Sequence, residues 1–325
     1  MGVHPSRSLV SVITTTYNVA PFVRQSVESA LAQTWKNLEV IVVDDGSSDD
    51  TPTQLKAIED PRVRCYYRVH EGQAAAANAG IELATGAYVA FLDGDDLWMP
   101  GKVEAHLRFH EDHPRADMTF SLSTTIDELG RTLDTPPTPQ GRAVGLRELL
   151  VENLIGNGSS AVVRRSALER AGVFDARLTS CYDLDLWLRL AMLRSDNIYL
   201  ISEVLTKYRR RANQLSNDSR RMRVGWDEVI AKTRVAVPEL VGATERERQV
   251  NNHRYFAFIE YEGKRFGQGL ALLVRALQSS PYLFLRDARN LLVSAACVAG
   301  ICLPVRIQAS LERCARHARQ RTSVE

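Results

Sequence analysis

Five cysteines in 325 residues, Cys65, Cys181, Cys297, Cys302 and Cys314, are too few and too scattered to form a framework. Their number is odd, and they show neither a CxxC pair nor a zinc-ligand spacing, so a disulfide scaffold and a zinc module are excluded and a reducing compartment is expected. Charge of one sign is lacking too. Lys and Arg number 41 against 39 Asp and Glu, which gives no global case for a nucleic-acid partner. Basic charge is local instead: residues 207–223 hold seven basic side chains against one acid, a pattern suited to phosphate. No basic segment followed by a long apolar core opens the chain, so no secretion signal is expected. The MGVHPS start matches the string for N-myristoylation at Gly2 but carries Pro5 inside it, and reads as an untidy terminus. No apolar run reaches the roughly 18–20 residues that span a bilayer. Residues 290–305 come nearest, flanked by Arg286, Arg289 and Arg306; a buried packing helix and an interfacial helix on an anionic membrane are both open. No repeat of fixed period is present, and no glycine-rich triphosphate loop follows the first apolar run, which sets a nucleotidyltransferase low.

What is present is an alternation of strands and helices with acidic strand ends. With 45% hydrophobic and 25% charged residues the chain can bury a sizeable core. The β-branched run 9–15 is followed by Val23, Val27, Ala30 and Leu31 at helical spacing. EVIVV, residues 39–43, is the continuous apolar run of a parallel strand covered on both faces, and it ends in DDGSSDD, whose Ser48 or Asp49 can cap the next helix. A strand at 63–67, an alanine-rich helix at 73–84 and a strand at 88–92 continue the pattern, which predicts a doubly wound parallel sheet. An amphipathic helix is expected to about His113, then a strand or hairpin over 118–133 in the same sheet, a proline-rich surface connection, a short strand at 159–163 and a helix at 183–193. Beyond Tyr208 the strands stop and several helices follow.

In such sheets ligands sit at the carboxyl ends of the strands, where TTYN, DDGSSDD and DGDD all fall. Asp93, Asp95 and Asp96 repel one another unless water or a cation stands before them. Hard oxygen ligands suit Mg²⁺ or Mn²⁺, which keep water and substrate phosphate in their shell. Against this stands a plain cap or ion-pair reading of a lone DxD. His106, His110 and His113 are about one helical turn apart and read as a solvated face rather than a zinc site. Trp98 and Trp187 fit the core better than a sugar pocket.

Six segments in order, SVITTTYN, LAQTWKNLEVIVVDDGSSDDT, GQAAAANAGIELATGAYVAFLDGDDLW, GVFDARL, YDLDLWLRLA and YRRRANQLS, resemble the family 2 glycosyltransferases over residues 8–216. The resemblance implies an α/β, GT-A-type, mostly parallel doubly wound sheet with a helical C-terminal extension. It divides the chain into a glycosyltransferase domain at 1–215, with a nucleotide-sugar half at 8–100 and an acceptor half at 101–215, and a helical region at 216–325. It places the nucleotide on Thr15, Tyr17, Asp44 and Asp45, with Asp45 the favoured uracil contact, and on Asn78. Asp93 and Asp95 become the metal and ribose site, Asp95 the favoured direct ligand. Arg209, Arg210 and Arg211 are to cover the diphosphate, and Asp183 is to be the catalytic base of an inverting displacement. The implied donor is a nucleoside-diphosphate sugar, UDP-linked by the resemblance, and the implied acceptor a glycan or lipid-linked hydroxyl. A cytoplasmic enzyme is expected, with peripheral membrane contact through 290–325. Three residues depart from the family pattern: Tyr182 stands where Glu is common, Ala77 where Arg precedes Asn, and Arg211 where His is usual. These substitutions motivate the alternative of a catalytically degenerate nucleotide-sugar-binding protein.

Overall fold

The computed structural model describes residues 8–134, 136, 139–212 and 214–303. The Gly2 string, Cys314, part of the proline-rich connection and the end of the 290–325 segment lie outside them. Two compact units divide the chain: Met1–Leu146 with Leu154–Arg210, and Arg147–Asn153 with Arg211–Glu325.

The first unit opens with β1 (Val10–Thr16), α1 (Val23–Leu31), β2 (Leu38–Asp44), α2 (Thr51–Lys56), β3 (Val63–Tyr67), α3 (Gln73–Leu83) and β4 (Tyr88–Asp93). Next come β5 (Leu97–Trp98), α4 (Lys102–Asp112), β6 (Met118–Ile126), β7 (Thr132–Asp134) and β8 (Arg142–Ala143). Helix α5 (Leu146–Val151) begins at the boundary between the units. β9 (Ala161–Arg164), α6 (Arg165–Ala171), α7 (Tyr182–Leu193) and β10 (Ile198–Arg209) complete the first unit.

One sheet runs β3-β2-β1-β4-β9-β6-β10-β5, with β7 on β6 and β8 on β10. The β3, β2, β1 and β4 ladder is parallel throughout, and β6 pairs β10 in parallel. β9 is antiparallel to both β4 and β6, so β6 and β10 run the same way as the first four strands. The carboxyl ends of all six therefore share one edge. Val40, Ile41, Val42 and Val43 of β2 are fully buried, as a strand covered on both faces requires. Val23, Val27 and Ala30 turn one stripe of α1 into the core that β1, β2 and β4 share with Leu55 and Val103. Helix α3 packs on β1 and β2 through small residues, Ala74, Ala76, Ala77 and Gly80. Its thin face lets the helix approach the sheet closely.

The histidines of α4 correct the sequence expectation. His106 and His110 are buried rather than solvated, on the same face as Val103 and Leu107. His106 Nδ1 lies 2.7 Å and His110 Nε2 3.2 Å from the Thr119 hydroxyl of β6. Only His113, past the helix end, is exposed, and it stacks on Phe109 at 4.0 Å. The reason is the i, i+4 spacing, which binds the two histidines to the fate of the Val103 and Leu107 face.

The second unit contains α8 (Ser219–Ala236), α9 (Pro238–Ala243), α10 (Glu245–Glu262), α11 (Phe266–Ser279), α12 (Pro281–Arg286) and α13 (Ala288–Cys302). Helices α10, α11 and α13 pack on one another. Glu152 of α5's trailing segment receives Arg254 at 3.0 Å and Arg289 at 2.9 Å. No helix among the described residues is long and apolar enough to cross a membrane.

Candidate active site

Strand register assembles the site. β1 lies between β2 and β4, pairing Thr16 with Asp44 and Thr15 with Asp93. Two threonines and two carboxylates thus end in adjacent rows on one sheet edge. Thr16 Oγ1 donates to Asp44 Oδ1 at 2.8 Å, and Ser47 adds its hydroxyl at 2.6 Å and its backbone N–H at 3.1 Å to the same carboxylate. Asp45 accepts the N–H groups of Glu71 at 3.0 Å and Gly72 at 2.8 Å, while His70 Nδ1 approaches its Oδ2 to 2.7 Å. Tyr17, 45% exposed, stacks on the His70 ring at 4.1 Å, so a planar aromatic surface stands beside a fixed carboxylate. Asn18 joins the TTYN and DDGSSDD loops by accepting from Ser48 N at 2.8 Å.

The DGDD turn crosses the end of β1 at close range. Gly94 N donates to Thr15 O at 2.9 Å, and a Cβ on Gly94 would stand 2.7 Å from Thr16 Cγ2, so the position admits only glycine without displacement. Asp93 accepts from Gln73 Nε2 at 2.6 Å and Thr15 Oγ1 at 3.4 Å, and its own N–H donates to Ser159 Oγ at 3.0 Å. Burial, then the charges of Asp95 and Asp183, push the Asp93 carboxyl up to about 7 despite those hydrogen bonds. Asp96 is raised well above the carboxylate range by burial and by Asp95 and Asp93, and its Oδ2 is buried without a hydrogen-bond partner.

Asp183 lies in the first turn of α7 and accepts from Leu184 N at 2.8 Å. Burial raises its carboxyl, which suits a proton acceptor better than an ordinary surface acid. Tyr182 beside it is held neutral, its hydroxyl pushed well above the usual range by burial and the Asp93 and Asp183 charges. Asp185, the other acid of the turn, is committed to Arg189 at 2.8 Å. That arginine also donates to the carbonyls of Ala171 at 2.5 Å and Val173 at 2.7 Å, fixing α7 to the GVFDARL loop.

Two of the expected residues, Asn78 and Arg209, are engaged in bonds that hold the fold together. Asn78 exchanges two hydrogen bonds with the Phe174 backbone, at 2.8 and 2.9 Å, and so ties α3 to the GVFDARL loop. Arg209 is 1% exposed; its guanidinium donates to Asp95 O at 2.7 Å, Asp127 O at 3.1 Å and Glu128 O at 3.0 Å, and its N–H donates to Asp96 Oδ1 at 2.8 Å. It braces the acidic turn from behind. Arg210 N donates to Ile126 O at 2.9 Å, and Arg211 opens the second unit. Trp98 and Trp187 are buried, as the core reading expects, with Trp98 Nε1 donating to Ser159 O at 2.9 Å. Gln73 and His70 hold the site without being singled out by the sequence, and Ser159 holds it from within residues 156–160. The signal available was position: Gln73 opens α3 facing the strand ends, and Ser159 lies in the GNGSS segment next to β9.

Among the described residues no three His, Cys, Asp or Glu side chains converge on a metal. Two carboxylates, Asp93 and Asp96, each raised by burial and by neighbouring carboxylates, next to a buried carboxylate oxygen without a hydrogen-bond partner, nevertheless fit a hard cation that completes its shell with water and phosphate.

The model of the family described as Glycosyl transferase family 2 matches residues 11–172. A putative teichuronic acid biosynthesis glycosyltransferase, TuaG of Bacillus subtilis, is 32% identical over 217 residues, covering 65% of this chain and 83% of its own length. The chain belongs to glycosyl transferase family 2. A further relative, an uncharacterized glycosyltransferase of Rickettsia prowazekii, is 34% identical over 64% of this chain and 66% of its own. The Escherichia coli UDP-Glc:alpha-D-GlcNAc-diphosphoundecaprenol beta-1,3-glucosyltransferase WfaP is 42% identical over 32% of this chain and 41% of its own. The chain thus spans two-thirds or less of several relatives it matches. TarS 1-349 of S. aureus, solved in complex with UDP-GlcNAc, shares the fold with a TM-score of 0.60 at 18% identity, over 95% of this chain and 92% of that one. The architecture is GT-A-type, with a helical C-terminal region.

Proposed function

We propose that the chain is an inverting, metal-dependent glycosyltransferase. It moves a sugar from a nucleoside-diphosphate sugar, UDP-linked, to a hydroxyl of a glycan or lipid-linked acceptor in cell-surface polysaccharide synthesis. The observation that carries the reading is the grouping of Asp93, Asp95 and Asp183, where burial and then the charges of Asp95 and Asp183 raise Asp93, at the strand edge where Asp44, Asp45 and Tyr17 also end. WfaP and TuaG support the acceptor class by their names, and the TarS complex supports the donor class.

Tyr17, Asp45 and Asp44 bind the base and ribose, with Thr15 and Gln73 orienting Asp93. Asp93 and Asp95 hold Mg²⁺ or Mn²⁺, which when bound offsets charge on the leaving diphosphate. Asp183, kept basic by burial, takes the proton of the attacking hydroxyl, and one base opposite the leaving group inverts the anomeric carbon. Arg210 and Arg211 serve the diphosphate, while Arg209 and Asn78 act by positioning the turn and the loop around it. The protein works on the cytoplasmic side, peripheral to the membrane.

Transfer of labelled sugar from a panel of nucleoside-diphosphate sugars, with Mn²⁺ and lipid-linked or glycan acceptors, tests this reading. One donor is expected to yield product with an inverted anomeric centre. Nucleotide binding with neither transfer nor slow donor hydrolysis would instead establish the degenerate binding protein that Tyr182 in place of the common Glu suggests.

A further inference from the structure

Helix α13 carries no charged residue from Asn290 to Cys302, although one of its faces is open to solvent. Its inner face is fixed by packing. Asn290 and Cys297 are fully buried, and Asn290 Nδ2 donates to Phe284 O at 2.9 Å. Gly269 of α11 comes so near that a Cβ there would stand 2.9 Å from Cys297 Sγ. Leu291, Leu292, Val298 and Ile301 are nonetheless exposed, by 46%, 68%, 45% and 54%. The adjoining α12 adds Tyr282 at 70% and Leu285 at 61%. A surface helix ordinarily turns a polar stripe to water, whereas α13 is apolar on both its packed and its open faces.

We propose that this open face of α12 and α13 docks on an anionic lipid surface. Charge complementarity selects the occupant. Arg286 is exposed at the end of α12, and the sequence after Leu303 carries Arg306, Arg313, Arg316, Arg319 and Arg321 against Glu312 and Glu325. A second copy meeting the same patch would bring Arg286 of one copy toward that of the other, because a two-fold interface sets each patch against itself. An anionic bilayer takes the apolar side chains at the boundary of headgroups and acyl chains and meets the arginines with phosphate. The helix then lies in the plane of the surface. This docking deepens the peripheral placement proposed above and uses none of the residues assigned to sugar transfer.

Full-chain protein is sedimented with phosphatidylcholine vesicles, with and without phosphatidylglycerol, alongside a variant carrying Leu292→Asp and Ile301→Asp. Both positions are solvent-exposed, so the melting temperature and UDP affinity of the variant are expected to match the parent. The parent is expected to sediment with the anionic vesicles and far less with neutral ones, and the variant to lose about tenfold in partitioning. Equal sedimentation of parent and variant would overturn the proposal, since attraction would then rest on arginines alone. So would absence of sedimentation with either lipid, or self-association that the two substitutions abolish without any lipid binding. Vesicle binding by a chain that transfers no sugar from any donor would uphold the docking and count against the catalytic reading.

Discussion

Two clusters of buried polar groups in the first unit, at the ends of β1, β2 and β4 and around the seam between α4 and β6, are assembled on different terms. At the seam most groups find a partner of matching chemistry, although His110 Nδ1 is buried without one. Lys102 Nζ donates to Ser160 O at 2.9 Å and Ser121 Oγ at 3.1 Å, and the two histidines share Thr119. Asp117 accepts from Arg170 and Arg194 at 2.7 Å each. Burial keeps Lys102 and His106 well below their usual ranges and lowers His110 to about 3, which favours their neutral forms. At the strand ends burial and the neighbouring carboxylates instead raise both Asp93 and Asp96. Lysine and histidine kept neutral among hydroxyls and carbonyls serve the fold, whereas carboxylates crowded at a sheet edge point to a ligand of the other sign.

The largest separation of the two clusters is expected from Asp183→Asn and Lys102→Ala. Asp183→Asn should lower transfer by roughly 10²–10⁴-fold, the range for loss of a general base, with little change in melting temperature. Lys102→Ala should do the reverse: a loss of about 2–3 kcal/mol in denaturant unfolding, from a cavity and an unmet carbonyl, with turnover per folded molecule kept. A Lys102→Ala protein that folds normally but fails to turn over would break the division.

Acidity separates the clusters next. Asp93, raised to about 7 from a usual 3.8, contributes stability that is complete below the usual value and lost as pH rises through 7. His110, lowered to about 3 from 6.5, contributes stability that is complete above 6.5 and lost as pH falls toward 3. Thermal melts across pH without metal should therefore show Asp93→Asn removing loss on the neutral side and His110→Gln removing loss on the acid side. Identical pH profiles for both variants and the parent would contradict the assignment. The smallest effect is expected at Asn78. Asn78→Ala should cost about 1–2 kcal/mol of stability through its two bonds to Phe174 and leave UDP affinity within about twofold. A large calorimetric loss of UDP binding at unchanged stability would restore a direct nucleotide contact.

Much of the sheet was legible because its strands are locally marked. Residues 63–67 are a strand as expected, and β1, β2 and β4 match their apolar runs to within a residue or two. Their acidic ends are local too, since residue type and strand end are both read from the same few positions. What was not legible depends on partners far away in the chain. β5 is two residues long and exists through pairing with β10, more than a hundred positions on. The interposition of β9 between β4 and β6 likewise follows from packing. Arg209 looks like a phosphate ligand in a basic run, yet the carbonyls of residues 95, 127 and 128 consume its guanidinium. The histidines of α4 could have been placed by their shared face with Val103 and Leu107, but the i, i+4 spacing resembles a metal or solvent pattern equally well.

Calorimetric UDP binding with and without Mn²⁺ tests the central claim most directly. In the parent and in Asp183→Asn, Mn²⁺ is expected to tighten UDP binding by about tenfold or more, because the cation joins the diphosphate to Asp93 and Asp95. In Asp95→Ala the affinity should no longer respond to Mn²⁺. The same Mn²⁺ dependence in Asp95→Ala as in the parent, or none in the parent, would contradict the account.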